Sequence, residues 1–185
     1  MKRYLAPLGL FALFALLVVV LAFGIHNAPQ NGSKIIVSPL LGKPAPEFTL
    51  PQLLEPGQHY ESKSLRGGWH LVNVWGTWCG GCRAEHATLL QIRDEGRVPI
   101  VGIDWKDEDA AATAWLSQLG NPYENVAADR DGRVAIDWGV YGAPETFVLD
   151  ARGVIRYKHV GALTPAALAS VIEPLLARLG QEDRP

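Results

Sequence analysis

Trp78-Cys79-Gly80-Gly81-Cys82 holds the only two cysteines of the chain and comes just after the apolar run Leu71-Val72-Asn73-Val74-Trp75. A strand that turns into a helix here places Cys79 at the helix N-terminus. The first four helical amides have no internal partner there, and the macrodipole favours negative charge. That setting stabilises a thiolate, the reactive form of cysteine. Cys82 follows roughly one turn later, close enough to close a small disulfide ring. The layout is that of a dithiol that exchanges with disulfides.

Three plainer readings fit less well. A purely structural bridge across so short a loop removes little unfolded-chain entropy. Structural zinc needs four ligands, and one Cys-x-x-Cys supplies two. His86 stands four residues after Cys82, but His26, His59, His70 and His159 are scattered. Covalent haem attachment requires His directly after the second cysteine, and that residue is Arg83.

With 185 residues, the length suggests one domain plus an additional segment. Apolar residues make up 48%, enough for a full core, and 17 Lys+Arg against 19 Asp+Glu leave a net charge of −2. No basic stripe or charge block points to nucleic acid. Three of the six tryptophans, Trp69, Trp75 and Trp78, crowd the cysteine motif.

The additional segment is N-terminal. Residues 5–25 carry no charge, and as a helix they reach about 32 Å, the thickness of a bilayer's hydrocarbon core. Lys2 and Arg3 precede them and, by the positive-inside tendency, keep residues 1–4 cytoplasmic. A cleaved signal peptide has a shorter apolar stretch and a small-x-small cleavage site; Ala22-Phe23-Gly24-Ile25-His26 matches such a site weakly. The reading favours an uncleaved transmembrane anchor over residues 5–25. Residues 26–40, with Asn27, Pro29, Asn31, Gly32 and Ser33, read as a tether reaching about 50 Å at full extension. The globular domain is expected over residues 41–180, with a tail at 181–185. Beyond the anchor, the dithiol would meet an oxidising compartment.

Within the domain the pattern reads β, β, α, β, α, β, β, β, α. A short strand ends near Leu50, a buried strand covers His70 to Trp75, and a helix runs from Cys79 to about Glu95. Another buried strand covers Pro99 to Asp104. The next helix is expected to place Ala111, Trp115 and Leu119 on one face and to stop before Gly120-Asn121-Pro122. Thr146 to Leu149 and Val154 to Val160 flank Asp150-Ala151-Arg152-Gly153 as a hairpin. The last helix begins with Thr164 as N-cap and Pro165 at its first position. It buries Leu168, Ile172, Leu175 and Leu179, and Pro174 should kink it. Alternating strands and helices imply an α/β layered fold, and the hairpin makes its sheet mixed.

Trp-Cys-x-x-Cys after a buried strand, with Ala143-Pro144 before a later one, resembles the thioredoxin fold, a three-layer sandwich. Longer stretches narrow this: residues 42–48 (GKPAPEF), 69–75 (WHLVNVW), 82–86 (CRAEH) and above all 139–147 (GVYGAPETF). Together they are similar to the membrane-anchored thiol:disulfide interchange proteins of cytochrome c maturation, the CcmG/DsbE family. The similarity extends from residue 41 to about 176.

The resemblance implies a reductant working in an oxidising compartment. Its client would be apocytochrome c, whose Cys-x-x-Cys-His thiols must be reduced before haem attaches. By the same analogy Cys79 attacks a client disulfide and Cys82 resolves the mixed disulfide, with no cofactor. A transmembrane thiol donor of DsbD or CcdA type then re-reduces the pair. Pro144 would be cis and face the cysteines, and Ala143 would offer its backbone to an extended client. A general envelope reductase with other clients is the nearest alternative. Copper delivery, from a different class, would want a wider cysteine spacing, and Met1 is the only methionine. A peroxidase would have Thr at the position of Gly76.

Two departures bear on the chemistry. Family members commonly carry a proline between the cysteines, whereas Gly80-Gly81 loosens the helix start by roughly 1 kcal/mol per glycine relative to alanine. General thioredoxins have a buried aspartate six residues before the first cysteine, where this chain has Asn73, which cannot accept a proton at neutral pH. The proton of Cys82 must then go to another carboxylate or to water. Glu145, directly after Pro144, is expected near the cysteines, and Glu85 lies three residues past Cys82. Trp78, Glu85 and Glu145 complete the expected surroundings of the site.

Overall fold

The structure, a computed structural model, describes residues 5–26 and 38–182. The expected cytoplasmic residues 1–4, most of the tether and residues 183–185 lie outside the described residues, as does the side chain of Leu179. The chain forms two units, Met1–Ile36 and Val37–Pro185.

In the first unit, Leu5–His26 is one helix, α1. Its side chains are described at Phe11 and from 13 to 23, where all are exposed; over the described residues no helix is long and apolar enough to cross a membrane.

The second unit is built on five strands, in the order β5-β4-β3-β6-β7. They are β3 (His70–Trp75), β4 (Ile100–Trp105), β5 (Asn125–Asp129), β6 (Glu145–Leu149) and β7 (Ile155–Val160). The first three run parallel, and β6 and β7 are antiparallel to their neighbours. β3 and β4 are buried along almost their whole length, as a strand covered on both faces must be. The apolar Leu71, Val72, Val74 and Trp75 of β3 and Ile100, Val101 and Ile103 of β4 follow from that.

α2 (Gly80–Asp94), α3 (Asp109–Leu119) and the C-terminal helix pack on one face of the sheet, through Leu89, Ile92, Trp115, Leu116, Leu168 and Ile172. The other face is covered by α4 (Arg133–Asp137) and the segment before β3, through Phe48, Tyr60, Leu65, Val134 and Trp138. The expected three-layer thioredoxin-like sandwich with a mixed sheet is the observed fold. A small ribbon of β1 (Thr49–Pro51) and β2 (His59–Glu61) lies ahead of it. The segment leading to β3 also touches both borders of the sheet. Gly42 and Lys43 exchange backbone hydrogen bonds with Ile155 of β7, and Leu53 donates to Val126 of β5.

Several local expectations change. α3 buries Ala112, Trp115 and Leu116 and leaves Ala111 and Leu119 exposed. The face is set by the Trp115 indole, which packs against Trp75 and His86, so its i−3 and i+1 neighbours go inward with it. β2 and α4 are absent from the sequence reading because each is too short to show a period. α4 forms because the Asp129 carboxylate accepts the amides of Val134 and Ala135. Thr164 and Pro165 start the last helix as expected, with the Thr164 hydroxyl accepting from Ala167 N–H. Its continuation from α5 (Pro165–Ala167) to α6 (Glu173–Glu182) passes through a π-helical stretch, Leu168–Ile172. That wider turn precedes Pro174, whose ring cannot follow a regular turn.

Phe147 sits at the centre of the second layer, fully buried and edge-on to Trp138 with centroids 5.1 Å apart. Phe147→Ala should cost about 3–5 kcal/mol in urea denaturation. A loss under about 1 kcal/mol would mean that this layer collapses freely around the cavity.

Candidate active site

β3 ends at Trp75, and Gly76-Thr77-Trp78 turns the chain into α2. Gly76 leaves room for the Trp78 indole: a Cβ would lie 2.6 Å from its nitrogen. Cys79 is the N-cap of α2, with an extended backbone, and its Sγ accepts a hydrogen bond from Cys82 N–H at 3.0 Å. The sulfur occupies the position where a capping oxygen would sit, so unpaired helix amides face it. The two cysteines are joined as a disulfide, with Cα atoms 5.3 Å apart. They are 5% and 3% exposed.

Pro144 lies over the ring. A Cβ on Gly81 would come 2.8 Å from Pro144 Cδ and 4.0 Å from Cys79 Sγ, whereas one on Gly80 would meet open space. The Ala143–Pro144 peptide is cis, and Ala143 is half-buried against the same core as the cysteines. Trp78, 53% exposed, is the large apolar side chain presented beside the motif; its indole N–H donates to the Trp105 carbonyl at 3.1 Å.

Glu85, three residues past Cys82 on α2, belongs to a buried polar network. Asn73 donates to Glu85 Oε1 at 2.8 Å and to Thr146 Oγ1 at 3.0 Å, and accepts from the Tyr123 hydroxyl at 2.8 Å. Glu85 Oε2 accepts from Leu163 N–H at 2.7 Å. Glu85 is 1% exposed. Burial pushes its carboxyl up to about 7, against the lowering effect of the Leu163 and Asn73 hydrogen bonds. Two donors hold the carboxyl in place, and desolvation sets it to exchange a proton near neutrality.

Glu145 is placed elsewhere. Thr146 faces Asn73 and α2, so its neighbour in the strand points to the other side of the sheet. There Glu145 pairs with the Lys158 amine at 2.9 Å and lies near Tyr141 N–H. Burial raises its carboxyl, and Lys158 opposes the rise. Glu145 thus lies across the sheet from α2, whereas Glu85 lies on α2 itself, three residues past Cys82. His86 is locked as well. Its Nε2 meets the Gly120 carbonyl at 3.0 Å, its Nδ1 accepts from Trp115 Nε1–H at 3.3 Å, and burial lowers its pKa.

Asp107, Tyr123 and Leu163 are neighbours of the site that the sequence reading passed over. Leu163 acts through its backbone, which no side-chain pattern reveals. Asp107 could have been suspected from its place just beyond a buried strand that runs parallel to β3.

Gly80→Ala should stabilise the protein by roughly 0.4–1 kcal/mol, because the position is open and helical. Gly81→Ala should destabilise it by about 1–3 kcal/mol by driving a methyl into Pro144. Chemical denaturation of the disulfide form measures both, and equal effects would refute the asymmetry. Glu85 gives a pH signature. The folded chain keeps its proton up to about 7, whereas the unfolded chain loses it near 4.5. The folded state thus binds the extra proton between these values, and stability falls as pH rises through that window by roughly 3 kcal/mol. The denaturation midpoint of the oxidised protein should decline more steeply over this range than that of Glu85→Gln. Parallel slopes would show that Glu85 titrates as a solvated carboxylate.

Residues 40–172 match the Redoxin family. The thiol:disulfide interchange protein DsbE of Allochromatium vinosum is 46% identical over 177 residues, covering 96% of this chain and 94% of that one. DsbE of Escherichia coli K12 is 42% identical over 183 residues, 98% of each chain. Among solved structures, one from Chlorobium tepidum described as a thiol:disulfide interchange protein DsbE superposes with a TM-score of 0.65 at 28% identity, covering 76% of this chain and 98% of that one. With its dithiol closed into a ring at the head of α2, the chain belongs to the Redoxin family, among the DsbE thiol:disulfide interchange proteins, and is a thiol-disulfide oxidoreductase.

Proposed function

We propose that the chain is a reductant of client disulfides outside the cytoplasm, held to the bacterial inner membrane by residues 5–25 and acting on apocytochrome c before haem attachment. The observation that carries the reading is the arrangement at α2: Cys79 caps the helix, and Glu85, able to take a proton near neutrality, lies on the same helix three residues past Cys82.

The Cys79 thiolate attacks one sulfur of the client disulfide, forming a mixed disulfide and releasing the other client sulfur as thiolate. Cys82 then gives up its proton and attacks Cys79 Sγ. The Cys79–Cys82 bond forms as the client–Cys79 bond breaks, and the client leaves with both sulfurs reduced. Glu85 serves as the acceptor for the Cys82 proton, a role its raised carboxyl suits. Ala143 and Pro144 form the wall against which an extended client segment lies, and Trp78 supplies an apolar contact beside it. A transmembrane donor of DsbD or CcdA type restores the dithiol by the reverse exchange.

The uncharged stretch of 5–25, Lys2 and Arg3 ahead of it and the tether after it support a single-pass anchor with the domain, residues 41–180, in the periplasm. DsbE relatives aligned over nearly the full chain support the thiol-disulfide exchange on which this reading rests. In cells, Cys82→Ser should accumulate mixed disulfides on Cys79 whose main partner is an apocytochrome c. Trapping of unrelated envelope proteins in its place would favour the general reductase. Fractionation should leave the full-length chain in the membrane pellet after alkaline carbonate washing; release of a shortened form would identify 5–25 as a cleaved leader.

A further inference from the structure

The loop carrying Cys79 is gripped from one side by the end of β4. Thr77 donates its backbone N–H and, at 2.8 Å, its hydroxyl to the Asp107 carboxylate. Beside it the Trp78 indole rests edge-on against Trp105, 5.5 Å between centroids, and donates to the Trp105 carbonyl. Asp107 reaches Thr77 because Lys106 takes a left-handed conformation, φ 51°, as β4 ends. That conformation is unfavourable for a residue with a Cβ. The turn is held by Lys106 N–H on the Asp129 carbonyl and by Glu108 N–H on Asp107 Oδ1.

Asp104 lies next to this grip. It pairs with Trp75 in the β3–β4 register and is 1% exposed; its Oδ1 has no hydrogen-bond partner, and after burial Asp107 is the strongest influence holding a proton on its carboxyl. Asp107 is half-buried, whereas Asp104 is out of water; a buried carboxyl beside a second carboxyl resists ionising, so Asp104 holds its proton. The charged groups acting on Asp104 are Asp107, Asp109 at the start of α3 and Arg130 beyond β5; Tyr123, from the loop before β5, faces it as a neutral phenol. Burial and the two aspartates outweigh Arg130 and push Asp104 up to about 8. Asp107 accepts from three donors: the Thr77 N–H, the Thr77 hydroxyl and the Glu108 N–H.

We propose that Asp104 and Asp107 share one proton and act together as a positioning pair for Cys79, Asp104 donating to Asp107 and Asp107 fixing the Thr77 loop, so that losing this proton in alkali frees the loop and lowers the reactivity of the Cys79 thiolate. This rests on Cys79 being the attacking thiol. Neither aspartate touches the client. They act through Thr77, by setting how squarely Cys79 Sγ faces the amides of α2. On deprotonation the proton goes to solvent, and the two adjacent negative charges repel.

The test uses the full-length reduced chain carrying Cys82→Ser, so that Cys79 is the sole thiol. Its alkylation by iodoacetamide is followed across the neutral and alkaline range, and each rate is divided by the thiolate fraction read from ultraviolet absorbance. The rate per thiolate should fall severalfold above about pH 8. Asp104→Asn, which still donates but has no proton to lose there, should abolish that fall. Thr77→Val, which removes the hydroxyl arm and alters no charge, should lower the rate per thiolate severalfold already at neutral pH, and Thr77→Ser should restore it. A flat alkaline limb in the parent, an unchanged fall in Asp104→Asn, or a Thr77→Val protein that matches the parent overturns the proposal. If Cys79 yields no reactive thiolate at any pH, the assignment of the nucleophile and this proposal fall together; a reactive Cys79 with a flat alkaline limb overturns this proposal alone.

Discussion

The registers of β3 with its two neighbours decide where every functional group at this end of the sheet arrives. β3 runs parallel to β4 and antiparallel to β6, with Val74 opposite both Ile103 and Glu145. The end of β3, the end of β4 and the start of β6 therefore come to one place. The first delivers the cysteine loop, the second Asp104 to Asp107, and the third Ala143 and Pro144. A one-residue slip of β6 would turn Thr146 away from Asn73 and put Glu145 in its place. The hydrogen bond from Asn73 to Thr146 ties the register to the side chain that also holds Glu85.

The buried polar groups give the site its character. Asn73, Glu85 and Asp104 lie in or against the sheet, among apolar side chains, and each would be costly there without partners. Asn73 meets this by using both its amide hydrogens and its oxygen. Glu85 and Asp104 are instead held toward their neutral forms. His86, with both ring nitrogens engaged and its pKa lowered, keeps its neutral form. Proton traffic at neutral pH near the cysteines is thereby left to carboxyl groups rather than to imidazole.

Much of this was readable in the chain. The cysteine spacing, the buried strand before it, and the 139–147 stretch led to the fold and to the dithiol without coordinates. Thr164-Pro165 marked its helix start because capping is a local event. What was not readable is long-range. Glu145 sits next to Pro144 in sequence, yet strand alternation sends it across the sheet to Lys158. The inward face of α3 depends on where the Trp115 ring goes, which three or four apolar residues cannot decide. The Thr77–Asp107 contact joins residues 30 apart, and the amide of Leu163 has no sequence signature at all.

The segment that enters the domain bonds to Ile155 at one border of the sheet and to Val126 at the other before it reaches β3. Open strand edges invite pairing with foreign chains. Here part of each outer row of amides and carbonyls is already taken by the protein's own N-terminal approach. A thiol-disulfide oxidoreductase gains from this: a foreign chain finds fewer places to add itself as a stray strand. The same stitching means that truncations reaching past residue 42 would uncover both borders in turn, first beside β7 and then beside β5. Such shortened forms would be prone to self-association even with an intact cysteine pair.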